Sequence, residues 1–410
     1  MTVSSHPLRL QPVSVSSPAE ALLAEQARLM SIVARPPRIM VRGSGSYLWD
    51  HQGTRYLDFV QGWAVNSLGH TPPEILSALQ AQAQTLISAS PAFHNAPQLS
   101  FARELTQATG LAQVHFTNSG AEANEAALKL ARKWGRVHRA GAHQVITTLG
   151  SFHGRTLAMM AASGKPGWDA LFPPIMPGFV KVPHGDVAAI EAQISASTVA
   201  VMVEPIQGEA GVVVPPDGYL RELRRLCDER NLLLICDEVQ TGMGRTGALL
   251  ACDYESVKPD VLTLGKGLGG GVPIAAVLAN ERASCFEPGD QGGTYNGNPL
   301  MVAVANSVFD VVSRPEFLAT VRTRGRYLER RLTALSAGRG IGLRGRGLLW
   351  ALVLPNPTAE AIVAACFDNG LLINAPRPNL LRLMPSLRVS EAEIDELCAL
   401  LEPALRSSVV

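Results

Sequence analysis

Charge is scarce in this chain and evenly balanced. Only 17% of the 410 residues are charged, and 36 Lys and Arg against 35 Asp and Glu leave a formal net charge of +1. Lys and Arg are spread rather than bunched, so there is no electrostatic footprint for nucleic acid or an anionic membrane, and small-molecule partners are expected. Cysteine is also sparse. The six, Cys227, Cys236, Cys252, Cys285, Cys366 and Cys398, have no C-x-x-C spacing and are too few to staple so long a chain. Five of them sit among apolar or small residues, which predicts reduced thiols and a cytoplasmic location. No apolar run approaches the roughly 18 residues of a membrane span. No Walker loop, zinc-protease helix or nucleophile elbow occurs, and the nine histidines lack metal-ligand spacing, so no metal is expected. Residues 1–16 lack the charged start and apolar block of a secretory signal; they read as a loose tail, with an organelle-transit reading left open by their Ser content.

What the chain has in quantity is apolar sequence, 47% over a length that exceeds what one core usually serves. Ser17-Pro18-Ala19-Glu20 reads as a capped helix start before Ala21 to Met30. Short β-type runs at Ile39 to Arg42, Tyr47 to Asp50 and Arg55 to Val60 predict a small antiparallel meander. From about residue 98 strands alternate with helical segments: Val114 to Thr117, a helix over Ala121 to Trp134, then strands at Gln144 to Thr148, Val199 to Glu204, Leu232 to Asp237 and Val261 to Leu264. Such alternation predicts an α/β fold with a mainly parallel central sheet covered by helices. Ligands of such sheets bind beyond the carboxyl ends of the strands. Past residue 300, helical Met301 to Val312 and Glu316 to Leu335 precede strand-like Leu348 to Leu354 and Leu380 to Met384.

Three places at strand ends invite chemistry. Ser119 and Glu122 form a capping box after the strand Val114 to Thr117, and the helix start behind Ser119-Gly120 offers free N–H groups for a phosphate, although an ordinary capped helix explains the same residues. Asp237 follows an apolar strand with little water near it, and a protonated pyridine nitrogen would be a suitable counter-cation. Lys266 follows another apolar strand among glycines. Partial burial would lower its pKa, and an unprotonated amine can condense with an aldehyde and later shuttle a proton. Gly265, Gly267 and Gly270 also satisfy the dinucleotide fingerprint, but that turn should open a helix, and here a strand-like Ile274 to Leu278 follows. Glu125 and Lys129 read as a solvated i,i+4 pair.

With these pieces in place the chain closely resembles the class III, or subgroup II, aminotransferases, and within them the acetylornithine and ornithine enzymes. The resemblance runs from about Gly43 to Val389. It is carried by Asn118-Ser119-Gly120-Ala121-Glu122-Ala123-Asn124, Phe152-His153-Gly154-Arg155-Thr156, Glu204-Pro205-Ile206-Gln207-Gly208-Glu209, Asp237-Glu238-Val239-Gln240-Thr241-Gly242, Gly265-Lys266 and Gly293-Thr294-Tyr295.

The resemblance implies fold type I of the pyridoxal-phosphate enzymes. A large cofactor domain would cover 66–299, and a small domain would be built from 17–65 and 300–410. It implies pyridoxal 5′-phosphate as cofactor. Ser119, Gly120 and Ala121 would hold its phosphate, with Thr294 contributing from the other subunit of a homodimer. Phe152 would stack on the ring, Asp237 would pair with the ring nitrogen, Gln240 would bond the ring hydroxyl and Lys266 would be the catalytic amine. Arg155 would grip the distal substrate carboxylate, Glu204 would belong to the substrate-binding set, and Arg382 would bind the α-carboxylate of 2-oxoglutarate. Glu209 would neutralise Arg382 when a terminal-amine donor is bound. The expected donor is N-acetylornithine, hence arginine biosynthesis; ornithine, succinylornithine, 4-aminobutyrate and a decarboxylase or aminomutase of the same fold are alternatives. Ala210 follows the ornithine pattern and Phe152-His153 the acetylornithine one.

Overall fold

The structure is a computed structural model that describes residues 19–407. The proposed caps Ser17 and Pro18, and the tail 1–16, lie outside the described residues. The first helix is shorter than the sequence predicts. Ala19–Ala24 is followed by a single 3-10 turn, Glu25–Arg28, with no buried residue. Among the described residues nothing buries Leu22, Leu29 or Met30 there, and a helix this short is not sustained without packing.

The expected meander is present as β1 (Met40–Ser44), β2 (Tyr47–Asp50) and β3 (Arg55–Asp58), paired antiparallel. The alternating region forms seven strands: β4 (Gln113–Thr117), β5 (Gln144–Thr148), β6 (Phe179–Val182), β7 (Thr198–Val203), β8 (Leu233–Asp237), β9 (Val261–Leu264) and β10 (Ala275–Ala279). They lie in the order β4-β10-β9-β8-β7-β5-β6. Pairs among β5 to β9 are parallel, whereas β10 is antiparallel to both β9 and β4. Six strands therefore run one way and only β10 is reversed, so the carboxyl ends of β4, β5, β7, β8 and β9 share one edge. Every residue of β7, β8 and β9 is buried, as strands covered on both faces require. Each of their Leu, Ile and Val side chains contributes on the order of 1.5–3 kcal/mol by leaving water.

The helix Gly120–His138 covers one face through Ala126, Ala127, Leu130, Ala131 and Trp134, which pack with Val145, Val199, Ile235 and Val277. Gly135 makes the close approach possible, since a Cβ there would lie 1.9 Å from the Ala142 carbonyl oxygen. The supposed dinucleotide turn does not open a helix: Lys266–Leu268 is one 3-10 turn, and β10 follows.

The remaining strands are β11 (Gly342–Arg346), β12 (Leu349–Val353), β13 (Leu371–Leu372), β14 (Asn374–Arg377) and β15 (Leu380–Leu383). They form a sheet β11-β12-β15-β14, except that β13 pairs parallel with β3. The two ends of the chain are thus joined in one sheet. All six cysteines are free thiols. Among the described residues no helix is long and apolar enough to cross a membrane, and no cluster of His, Cys, Asp or Glu could hold a metal ion.

Candidate active site

A cavity of about 260 Å³ opens where the strand ends converge. Its wall includes Gly120, Ala121, Phe152, Arg155, Asp237 and Lys266, residues drawn from four separate segments of the chain. On one side stands the start of the helix Gly120–His138. The Ser119 hydroxyl accepts from the Glu122 amide at 3.3 Å, and the Glu122 carboxylate accepts from the Ser119 and Asn118 amides at 3.0 and 2.6 Å. The capping box thereby satisfies the turn on the outside of the helix. The amides of Gly120 and Ala121, at the first two helical positions, have no partner among the described residues, which leaves donors and the positive helix end facing the cavity. Ser119 is exposed and outside the cavity wall.

Asp237 is the last residue of β8 and only 3% exposed. Its Oδ2 accepts from His153 Nδ1 at 2.8 Å and Asn124 Nδ2 at 2.7 Å, while Oδ1 accepts from the Val239 amide at 3.0 Å. Asn124 is itself fully used, donating also to the His153 carbonyl at 2.7 Å and accepting from the Thr263 hydroxyl at 2.7 Å. These contacts hold a buried carboxylate in one orientation, able to meet a cation arriving from the cavity. Burial pulls the His153 pKa down, but the hydrogen bond and charge of Asp237 outweigh it and leave it raised.

Lys266 follows β9 by two residues and has φ of 42°, a left-handed conformation that a residue with a side chain rarely adopts. The strained turn brings the half-buried Lys266 into the cavity wall. Burial lowers its pKa, against the attraction of Glu209 and with help from Arg382. An amine of this kind is available as a nucleophile and as a proton carrier.

A third group lies beyond. Glu204, 4% exposed, accepts from the Phe152 amide at 2.9 Å and the Gly208 amide at 3.2 Å. Burial, with the nearby Asp237 charge, raises its pKa despite the attraction of His153. Its position ties the Phe152 loop to the Gly208 loop. Arg382, on β15, is completely buried and donates to Glu209 at 2.7 Å and to the Gly208 carbonyl at 2.9 Å. A Cβ at Gly208 would sit 1.5 Å from Gln240 Oε1, so the Gln240 amide would have to move for any other residue to stand there.

Phe152 and Arg155 line the cavity, and both meet Trp168. Phe152 packs edge-on to it at 5.5 Å between ring centres, and the Arg155 guanidinium carbon lies 5.5 Å from the same ring. Thr294 is exposed and does not line the cavity of its own chain. The expected Glu125–Lys129 pair is absent. Glu125 instead accepts from the Thr156 hydroxyl, and Lys129 donates to the Asp290 carbonyl and to Gln291, because loops distant in sequence fold over that helix face and offer fixed partners. Sequence reasoning assigned no task to His153, Asn124, Thr263 or Trp168. A signal existed for the first two. Each stands inside a motif already singled out, and Asn124 is a polar residue on the apolar face of its helix.

Comparison with known proteins agrees with this geometry. Residues 31–405 match the family described as aminotransferase class-III. The chain is 56% identical over 370 residues to acetylornithine aminotransferase 2 of Bordetella bronchiseptica, covering 89% of this chain and 93% of that one. It is 51% identical over 387 residues to acetylornithine aminotransferase of Ralstonia nicotianae, covering 92% and 97%. Among solved structures, the ornithine aminotransferase of Toxoplasma gondii superposes with a TM-score of 0.90 at 34% identity, covering 95% of this chain and 96% of that one. The acetylornithine aminotransferase of Elizabethkingia anophelis gives 0.83 at 35%, covering 95% and 99%. A family match over nearly the whole chain and relatives this similar, joined to a cavity that gathers a half-buried lysine, a buried carboxylate and a free helix start, leave one conclusion: the chain belongs to the class III aminotransferases.

Proposed function

We propose that this enzyme moves the terminal amino group of N-acetylornithine to 2-oxoglutarate, giving the semialdehyde and glutamate, with pyridoxal 5′-phosphate held in the cavity. The observation that carries the reading is the enclosed Lys266 amine sharing one cavity with the oriented Asp237 carboxylate. The names of the relatives favour the acylated donor.

The residues present fit the cofactor. Gly120 and Ala121 have unpartnered amides for a phosphate, Asp237 is an anion for a cationic ring nitrogen, and Gln240 Nε2 is a buried donor with no partner, suited to a ring hydroxyl. Phe152 offers an aromatic wall. When bound, pyridoxal phosphate supplies an aldehyde carbon for amines and an electron-accepting ring.

The chain supplies the rest. Lys266 would hold the cofactor through its amine and, with the donor seated, would take the proton from the donor's reacting carbon at Nζ and carry it for return. Asp237 would face the ring nitrogen and favour its protonated, electron-accepting form. A terminal-amine donor brings no carboxylate near Arg382, and Glu209 neutralises that guanidinium at 2.7 Å. In the second half-reaction 2-oxoglutarate presents its α-carboxylate to Arg382 as Glu209 withdraws, and its distal carboxylate to Arg155, whose planar fork suits it.

The same reading includes a cytoplasmic homodimer with shared sites. Thr294 is exposed and away from its own cavity, which supports a role for it at a partner's phosphate rather than its own. The pairing of β3 with β13 supports one small domain built from both chain ends around a large domain spanning 66–299. Initial rates with 2-oxoglutarate and N-acetylornithine, succinylornithine, ornithine or 4-aminobutyrate test the proposal. Glutamate should form from N-acetylornithine with kcat/KM at least ~10-fold above that for ornithine, a ratio within reach of polar and charged contacts. Equal rates from ornithine would reassign the donor, and no glutamate from any amine would end the reading.

A further inference from the structure

Beyond the residues already placed, one more cation stands at the mouth of the cavity. Lys165 lies in the turn after the helix Leu157–Ala162, half-buried, with Nζ 5.1 Å from the centre of the Trp168 ring. This is the ring that also receives the Arg155 guanidinium. The backbone beneath Lys165 is anchored to the loop that carries Phe152. The neighbouring Gly164 bridges to Leu149, its carbonyl accepts from the Gly150 amide at 2.9 Å, and its amide donates to the Ser151 carbonyl at 3.1 Å. Lys165 is thereby held in register with the wall of the site, although it stands at the rim rather than in the cavity lining.

The charges around it are unbalanced. Among the described residues neither the Lys165 nor the Arg155 side chain has a hydrogen bond or ion pair; each meets only the ring. The charged groups acting on Lys165 are Glu209, Arg155, Arg377 and Arg382. The one anion among them is committed to Arg382 at 2.7 Å. Burial and the three arginines lower the Lys165 pKa in spite of Glu209, which is the electrostatic sign of a rim short of anions. An incoming carboxylate meets two unpaired cations steadied by one indole. A free α-ammonium meets repulsion, and acylation of that amine removes its charge.

We propose that Lys165, steadied by Trp168, is a specificity-determining residue that joins Arg155 in binding the carboxylate at the far end of the donor and disfavours donors with a free ammonium beside it. The inference rests on the acylornithine reading above and extends it from what the enzyme uses to how ornithine is refused. Discrimination of this kind works by repelling the wrong ligand as well as by holding the right one.

The test compares the holoenzyme with Lys165→Gln and Lys165→Arg. Rates are measured for N-acetylornithine and ornithine with 2-oxoglutarate, and calorimetry follows binding of N-acetylnorvaline, which keeps the carboxylate and acyl group but has no reacting amine. In Lys165→Gln, KM for N-acetylornithine should rise about tenfold with little change in kcat, as expected for lost uniform binding. The preference for N-acetylornithine over ornithine should fall about tenfold, and N-acetylnorvaline should bind about tenfold more weakly, the scale of one lost charged contact. Lys165→Arg should restore most of both. An unchanged preference in Lys165→Gln, with N-acetylnorvaline bound as before, overturns the proposal. Should the parent enzyme fail to use N-acetylornithine, the donor assignment falls, and the N-acetylnorvaline measurement alone then decides the role of Lys165.

Discussion

The Arg382 guanidinium, fully buried on β15, is neutralised by Glu209 at 2.7 Å, and the carboxylate that does this keeps a quarter of its side-chain surface open to the cavity. One partner is enclosed and the other is partly open. On the proposed function the pair would serve as a removable counter-ion in a pocket that alternates between a substrate without a nearby carboxylate and one with it.

Removing Glu209 separates these roles. Glu209→Ala leaves a buried cation unpaired and should cost about 3 kcal/mol of stability, read by chemical denaturation at neutral pH. Half-reaction kinetics should show the terminal-amine donor disfavoured and glutamate favoured. The carboxyl's pKa is lowered: burial raises it, and Arg382 overcomes that. The stabilisation is thus present above about pH 4.5, the usual glutamate range, and is lost as pH falls through the lower folded value; the variant should lack that loss.

Lys266→Ala should reduce glutamate formation by at least about a thousandfold, since it removes both nucleophile and proton carrier. Alanine tolerates the left-handed φ of 42° no worse than lysine does, so the melting temperature should barely change. Normal turnover in this variant would remove Lys266 from the mechanism.

Asn124 supports Asp237 and the Thr263 hydroxyl together. Asn124→Leu keeps the volume but strands buried polar groups on three sides, at a cost of about 2 kcal/mol or more. Denaturation should show the loss, and a titration with pyridoxal phosphate should show weaker binding as Asp237 loses its orientation. Unchanged stability would mean that water replaces the amide.

A pH effect away from the site is expected at His184. Both its ring nitrogens are buried without partners among the described residues, it meets Tyr219 edge-on at 5.4 Å, and burial pushes its pKa from 6.5 down to about 4. The unfolded imidazole binds a proton below about 6.5 whereas the folded one waits until about 4, so stability is lost as pH falls through that window. The full window amounts to about 3 kcal/mol. His184→Phe should remove most of that acid sensitivity between neutral pH and about pH 4.5, measured as the change in unfolding free energy.

Much of this was readable from local sequence. The apolar runs ending at Leu264 and Asp237 announced buried parallel strands, because a strand covered on both faces must be apolar throughout. Their carboxyl ends pointed to Asp237 and Lys266. The Ser119–Glu122 capping box was legible because its partners are three residues apart. Contacts between distant segments were not legible from local pattern. His153 reaches Asp237 across 84 residues, and no pattern within either segment specifies the other; Glu209 meets Arg382 across 173, a pairing that only the family resemblance anticipated. Lys129 is the reverse case: the helix period offered Glu125, but the loop at Asp290 and Gln291 lies nearer in space. The order of residues settled which strands are interior and which side chains stand at their ends, since burial imposes a period and a composition on each segment. Only the folded chain settled which of those ends face one another, and with that which charges are paired and which remain open, because electrostatic partnership depends on distance in space rather than along the backbone.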